Sequence, residues 1–173
     1  PENEIQWNFN PESPISPKTK VGNIIALKKA IRLRDFSELG SKVPNDRWGF
    51  GPLEVNAYYD PSHNLFVVPV AILQAPFFDI SQSEIQNLAA IGSVIGHELG
   101  HGIDDKGYLY DEVGRLRSWV TNSDKIGLTN HSRPLIDIFN KIGHNGRLTL
   151  GENTGDNVGI AASFRSAFPA YQA

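Results

Sequence analysis

Two histidines and a glutamate stand in the run Val94-Ile95-Gly96-His97-Glu98-Leu99-Gly100-His101-Gly102, a His-Glu-x-x-His pattern. On an α-helix, side chains four positions apart lie about 40° apart around the axis, so the imidazoles of His97 and His101 can converge on one tetrahedral zinc ion. Glu98 then points beside the metal, where it can take a proton from a zinc-bound water whose pKa falls to about 7. The chemistry this suggests is hydrolysis of a peptide bond. The plain alternative is coincidence on a helix surface, where His and Glu are both common.

The element that must carry this motif reads as a long, apolar helix. Ser81-Gln82-Ser83-Glu84 has the form of a capping box, and Ile85, Leu88, Ile91, Val94 and Ile95 recur at helical spacing. With His97 at 0°, His101 falls near about 40° and Glu98 near about 100°, while Gly92, Gly96 and Gly100 form a separate stripe. Each glycine costs about 1 kcal/mol relative to alanine in a helix interior, so the stripe predicts another element packed very close to this backbone. A buried helix carrying two histidines and a glutamate calls for a compensating metal.

A zinc site needs a third protein ligand and leaves its fourth position for water or substrate. Glu152 is the candidate, in Leu150-Gly151-Glu152-Asn153-Thr154-Gly155-Asp156-Asn157. Val158, Ile160, Ala161, Ala162, Phe164 and Ala167 continue this run as a second helix, and Asp156 lies one turn beyond Glu152 on the same face. A metal-bound histidine usually donates its other ring N–H to a carboxylate or carbonyl, and Asp156 is placed to receive it. Thr149-Leu150-Gly151-Glu152 is also a capping-box pattern, in which Glu152 would bind only its own helix start. Spacing leaves both readings open.

Val55-Asn56-Ala57-Tyr58-Tyr59 and Leu65-Phe66-Val67-Val68 are β-prone runs separated by the turn residues Asp60-Pro61-Ser62-His63-Asn64, which predicts a hairpin. Its edge strand could bind an extended peptide by adding it to the sheet, or the hairpin could be purely structural, with Tyr58 and Tyr59 on opposite faces. Asp104 and Asp105 could orient a ligand as supporting carboxylates or could end the helix after Gly102, and Asp104 is the candidate for the first role.

Together with Asp46-Arg47-Trp48-Gly49 and Pro69-Val70-Ala71-Ile72-Leu73-Gln74-Ala75-Pro76-Phe77-Phe78-Asp79, three of these segments carry a specific resemblance across most of residues 35–168. They are His97 to Asp105, Gly151 to Asn157, and Val55 to Tyr59. The chain resembles the neprilysin-like zinc endopeptidases, which include bacterial endopeptidase O. The resemblance implies that His97, His101 and Glu152 bind one zinc ion, that Glu98 is the general base, and that Asp156 is the supporting acid. It also implies that Asn56 and Ala57 hold the peptide substrate, and that a bulky apolar residue follows the scissile bond.

The fold expected is α+β and mostly helical, a thermolysin-like zincin core with a hairpin or small sheet beside the active-site helix. Members of the family continue past this point with an oxyanion-stabilising histidine and a substrate-binding arginine, and they carry a large helical domain over the active site. Those parts are expected as partners of a partial catalytic domain. Two departures stand out: Gly155 occupies a position where alanine is more usual, and the stretch from His101 to Glu152 is shorter than in animal relatives. Two rival functions are a zinc aminopeptidase with the same helix pair and an inactive, metal-stabilised peptide-binding fragment.

The remaining residues bound the answer. His63, His131 and His144 lack ligand-spaced partners and read as solvent-exposed. Lys28, Lys29, Arg32 and Arg34 form the wet face of a helix near 21–39, with Ile24, Leu27, Ile31 and Leu39 on its apolar side and Gly40 at its end. A formal charge of −3 predicts no nucleic-acid partner. At 173 residues and 40% hydrophobic content the chain can bury one core, expected as an extended lead-in over 1–20 and a single domain over 21–173. No apolar run is long enough to span a membrane, and no signal peptide is visible. Cysteine is absent, which excludes disulfides and thiolate ligands; because animal members typically carry disulfides, a bacterial source is expected, in a periplasmic, cell-envelope or secreted setting or else the cytoplasm. Methionine is absent too, including at position 1, which points to a fragment or a processed chain.

Overall fold

The computed structural model describes residues 20–41 and 48–169. The chain divides into two compact units, Pro1–Asp46 and Arg47–Ala173. The expected lead-in over 1–20 lies outside the described residues except for Lys20, as do Asp46 and Arg47. The first helix lies in the first unit.

In the first unit, α1 (Lys20–Ser37) ends in a turn whose Gly40 has φ +81°, a left-handed conformation that glycine adopts without a Cβ penalty. None of its residues is buried, and Ile24, Leu27, Ile31 and Leu39, the apolar side that the sequence pattern marks out, are exposed.

The second unit begins with the hairpin. Strand β1 (Tyr58–Asp60) pairs antiparallel with β2 (Leu65–Val67), Tyr58 opposite Val67, Tyr59 opposite Phe66 and Asp60 opposite Leu65. The predicted strand from Val55 starts later, at Tyr58, because Asn56 turns its side-chain oxygen onto the Ala57 N–H at 2.9 Å. That local bond competes with a strand ladder.

The motif helix follows as one helical stretch in three pieces: α2 (Glu84–Asn87), a π-helical turn (Leu88–Gly92) and α3 (Ser93–Gly100). Its capping box is formed by Ser83 and Gln86, two residues beyond the expected pair. Ser81 is otherwise engaged, since its N–H and hydroxyl both donate to Asp79 Oδ1 at 2.8 and 2.7 Å. The π turn has identifiable supports. The Ile91 N–H leaves the helix ladder for the Phe77 carbonyl at 3.0 Å, and the Ser93 hydroxyl donates to the carbonyls of Ala89 and Ala90.

Helix α4 (Asn122–Lys141) opens on a capping box of Thr121 and Asp124, and α5 (Leu150–Ala167) packs along α3. This packing is backbone on backbone. A Cβ on Gly96 would fall 2.8 Å from the Gly159 Cα, and one on Gly100 would fall 2.9 Å from the Gly155 Cα. The glycine stripe thus has the partner its sequence predicts, although Gly92 has only ordinary contacts, starting at 3.5 Å. The buried apolar core is smaller than the composition suggests: Ala57, Val67, Ile72, Ile91 and Leu150, with Pro69 the largest fully buried side chain. Among the described residues no helix is long and apolar enough to cross a membrane.

Candidate active site

The last turn of α3 presents His97 and Glu98, His101 caps its end, and the first turn of α5 brings Glu152 opposite them. The imidazole centroids are 4.7 Å apart and nearly perpendicular, at 85°. Glu152 Oε2 lies 3.4 Å from His97 Nε2 and 3.8 Å from His101 Nε2. Among the described residues these three form the one cluster whose ligand atoms all lie within 4.8 Å of each other. Bonds of about 2.0–2.1 Å at tetrahedral angles would set neighbouring ligand atoms about 3.3–3.4 Å apart, so the donor set fits zinc.

The other nitrogen of each ring is committed. His97 Nδ1 is 2.8 Å from Asp156 Oδ1, and His101 Nδ1 is 2.8 Å from Asp104 Oδ2. An ionised carboxylate only accepts, so each Nδ1 carries the proton and donates it. In the neutral imidazole each Nε2 then keeps its lone pair, and both lie within 4 Å of Glu152 Oε2. The hydrogen bond to Asp104 also raises the His101 pKa, against the opposing effect of desolvation.

Asp104 does more than Asp156. It is buried, and its second oxygen accepts from the N–H groups of Lys106 at 2.8 Å and Gly107 at 2.7 Å. Burial pushes its carboxyl upward, but the hydrogen bonds from His101, Gly107 and Lys106 outweigh this and hold it below the usual range. Gly107 is required for this turn, since a Cβ there would fall 1.7 Å from the His101 carbonyl oxygen. Asp105 is exposed and makes no hydrogen bond or ion pair among the described residues.

Glu98 is 7% exposed, and burial raises its pKa. His101, His97 and the Tyr59 backbone N–H pull it back, while Glu152 pushes it further up. The capping-box alternative for Glu152 is not formed. Thr149 makes no side-chain cap bond to the helix, and its hydroxyl instead accepts from Asn153 Nδ2 at 2.9 Å. Gly155 leaves room for His97, because a Cβ there would meet that ring at 2.9 Å.

Exposed Asn56 and buried Ala57 stand just before β1 and line a cavity of about 430 Å³ together with both imidazoles, Glu98 and Glu152. Tyr59, Lys106 and Gly107 line it too, and the sequence reading did not single them out as site residues. Their signal was adjacency: Tyr59 follows the Asn56-Ala57 pair closely, and Lys106 and Gly107 follow Asp104 on one turn. His63 departs from its expected exposure. It is half-buried and its Nδ1 lies 2.7 Å from Asp60 Oδ2. The neighbouring Ser62 hydroxyl contacts the same nitrogen at 3.0 Å, so this is a turn-stabilising cluster and not a nucleophile relay, which uses both ring nitrogens. His131 and His144 are exposed.

Comparison with known proteins places this geometry in a family. The profile of Peptidase family M13 matches residues 56–172. Endothelin-converting enzyme 1 of Rattus norvegicus is 43% identical over 140 residues, covering 78% of this chain and 18% of that protein. Neutral endopeptidase of Lactococcus lactis subsp. cremoris is 35% identical over 159 residues, covering 87% and 25%. Among solved structures, PepO from Lactobacillus rhamnosis HN001 superimposes with a TM-score of 0.83 at 31% identity, over 89% of this chain and 25% of that one. The inhibitor complex of the Mycobacterium tuberculosis zinc metalloprotease Zmp1 gives 0.78 at 36% identity, over 87% and 24%. The chain spans a quarter or less of the length of these relatives. Because profile, relatives and solved folds agree over the stretch that carries His97, Glu98, His101 and Glu152, the chain belongs to peptidase family M13.

Proposed function

We propose that this chain supplies the metal centre of a zinc metalloendopeptidase acting on small or unstructured peptides. The observation that carries the reading is the convergence of His97 Nε2, His101 Nε2 and Glu152 Oε2, with each imidazole fixed from behind by a carboxylate. His97, His101 and Glu152 would hold zinc. When bound, the ion supplies a Lewis acid for the scissile carbonyl and brings the pKa of a water to about 7.

The chain's own residues account for the rest. Glu98 takes the proton of the attacking water and passes it to the leaving amine, a role suited to a carboxylate whose burial makes it less acidic. Asp156 and Asp104 keep the ligand rings in one tautomer. Asn56 and Ala57, at the groove wall before β1, hold the peptide backbone as an added strand would be held. The preference for a bulky apolar residue after the scissile bond rests on the family resemblance alone.

The test uses the full-length protein, zinc titration and an amino-terminally blocked peptide. Glu98→Gln keeps the side chain's shape and should retain zinc while losing about 10²–10⁴-fold in kcat. Glu152→Gln should weaken zinc binding itself. Zinc bound equally well by Glu152→Ala would sink the ligand assignment. Refusal of blocked peptides with cleavage of free amino termini would turn the reading into an aminopeptidase, and binding without turnover would make it a peptide-binding module.

A further inference from the structure

Lys106 is the one lysine or arginine among the residues that line the groove, where the carboxylates are Glu98, Asp104 and Glu152. Its backbone is firmly held. The Lys106 N–H donates to Asp104 Oδ1 at 2.8 Å, the next N–H donates to the same oxygen, and Gly107 lies against the His101 carbonyl where no Cβ would fit. The Lys106 Cα is therefore fixed relative to a proposed zinc ligand.

Its side chain is not held. Lys106 is exposed, and its ammonium makes no hydrogen bond or ion pair among the described residues. Of the three groove carboxylates, Asp104 is engaged with His101 and two backbone amides, Glu152 lies against the two imidazoles, and Glu98 is buried. A flexible stem on a fixed base, beside a peptide-sized groove, leaves the charge for whatever occupies that groove. The group that fits a lone ammonium is a carboxylate.

We propose that Lys106 is a specificity-determining residue that pairs with a carboxylate of the bound peptide. The favoured substrates are then peptides with an acidic side chain close to the scissile bond, or with a free carboxyl terminus falling at the same place. This rests on the reading of the groove as a peptide site.

The experiment uses the full-length, zinc-loaded protein and peptides blocked at both ends. One peptide is neutral, a set carries a single Glu walked through three positions on either side of the scissile bond, and one neutral peptide has a free carboxyl terminus. The quantity read is the ratio of kcat/KM for each carboxylate peptide to that for the neutral one. At one position at least, this ratio should fall by about 3–10-fold in Lys106→Ala, mainly through KM, and invert in Lys106→Glu. The Glu walk and the free-terminus peptide separate the two sources of the carboxylate. Lys106→Gln, which keeps the stem, guards against misfolding, and Lys141→Ala, at the end of α4, controls for net charge.

The same ratio is read as Kd by fluorescence anisotropy on Glu98→Gln protein, which leaves the peptides intact. A wild-type protein that cleaves none of the peptides defeats the proposed function, while the Kd ratios still decide the role of Lys106. Ratios that ignore residue 106 at every position, or that Lys141→Ala changes equally, overturn the inference.

Discussion

Asp104 and Asp156 make the same 2.8 Å bond to a histidine and sit in opposite surroundings. The Asp156 side chain is 68% exposed and the Asp104 side chain 6%. If both fix a ligand ring, replacing either by asparagine should lower zinc affinity by about 10–100-fold. Their stabilities should part. Asp156→Asn should leave the metal-free protein within about 0.5 kcal/mol of wild type, whereas Asp104→Asn also weakens the turn through Lys106 and Gly107 and should lower its melting temperature measurably. Zinc titrations beside thermal melts in chelator check both; equal effects on the metal-free melt would refute the distinction. The sequence marked Asp156 through its spacing from Glu152 and favoured Asp104 over Asp105, but it left open whether Asp104 orients a histidine or only ends the helix. That depends on which carboxylate the chain buries after the helix ends.

The element that matters most is the crossing of α3 and α5, since it sets the distance from the imidazoles to Glu152. Gly159 tolerates no side chain, because a Cβ there would lie 2.3 Å from the Ser93 carbonyl oxygen and 2.9 Å from the His97 N. Gly159→Ala gains about 1 kcal/mol of helix propensity and meets an overpacking cost of about 1–3 kcal/mol against backbone that cannot step aside. Net destabilisation with weakened zinc binding is expected. Gly92→Ala meets only contacts of 3.5 Å or more and should be neutral or slightly stabilising. Urea unfolding of the two variants tests the contrast, which fails if Gly92→Ala is the more damaging. The glycine stripe made a close partner legible in advance. Its identity was not, nor was the π turn, because the Phe77 carbonyl that takes the Ile91 N–H is fourteen residues away and enters through the fold.

At the scale of the molecule, stability should depend on metal and on acid. Zinc held by two elements that the unfolded chain does not bring together stabilises the folded state, by about 4.1 kcal/mol at a free concentration of about 1,000 times Kd. A chelator should therefore lower the melting temperature in calorimetry, and an unchanged melt would mean that no metal is held. Acid acts through Asp111, which is 3% exposed and accepts from the N–H groups of Val113 at 3.0 Å and Arg115 at 2.9 Å and from the Arg117 guanidinium. Burial pushes this carboxyl up, but Arg117 and the two amides overcome it and hold it at about 2, below the usual 3.8. A depressed carboxylate stabilises the fold above its unfolded pKa and stops doing so as pH falls through the folded value. The melting temperature should thus drop between about pH 4 and pH 2, and Asp111→Asn should remove part of that drop; an identical acid profile in the variant would rule Asp111 out. The sequence alone determined the helix that carries His97 and His101, because four-residue spacing and helical geometry leave the two imidazoles on one face whatever surrounds them. It also determined the second carboxylate helix and the hairpin, through apolar periodicity and turn residues. Only the tertiary structure decided that Glu152 turns to the imidazoles and away from its own helix start, that Asp104 is the buried partner of His101, and that Lys106 is among the residues lining the groove. Those outcomes depend on how closely two glycine-bearing helices approach and on which polar groups are left to satisfy one another there, and no local pattern in the chain records that distance.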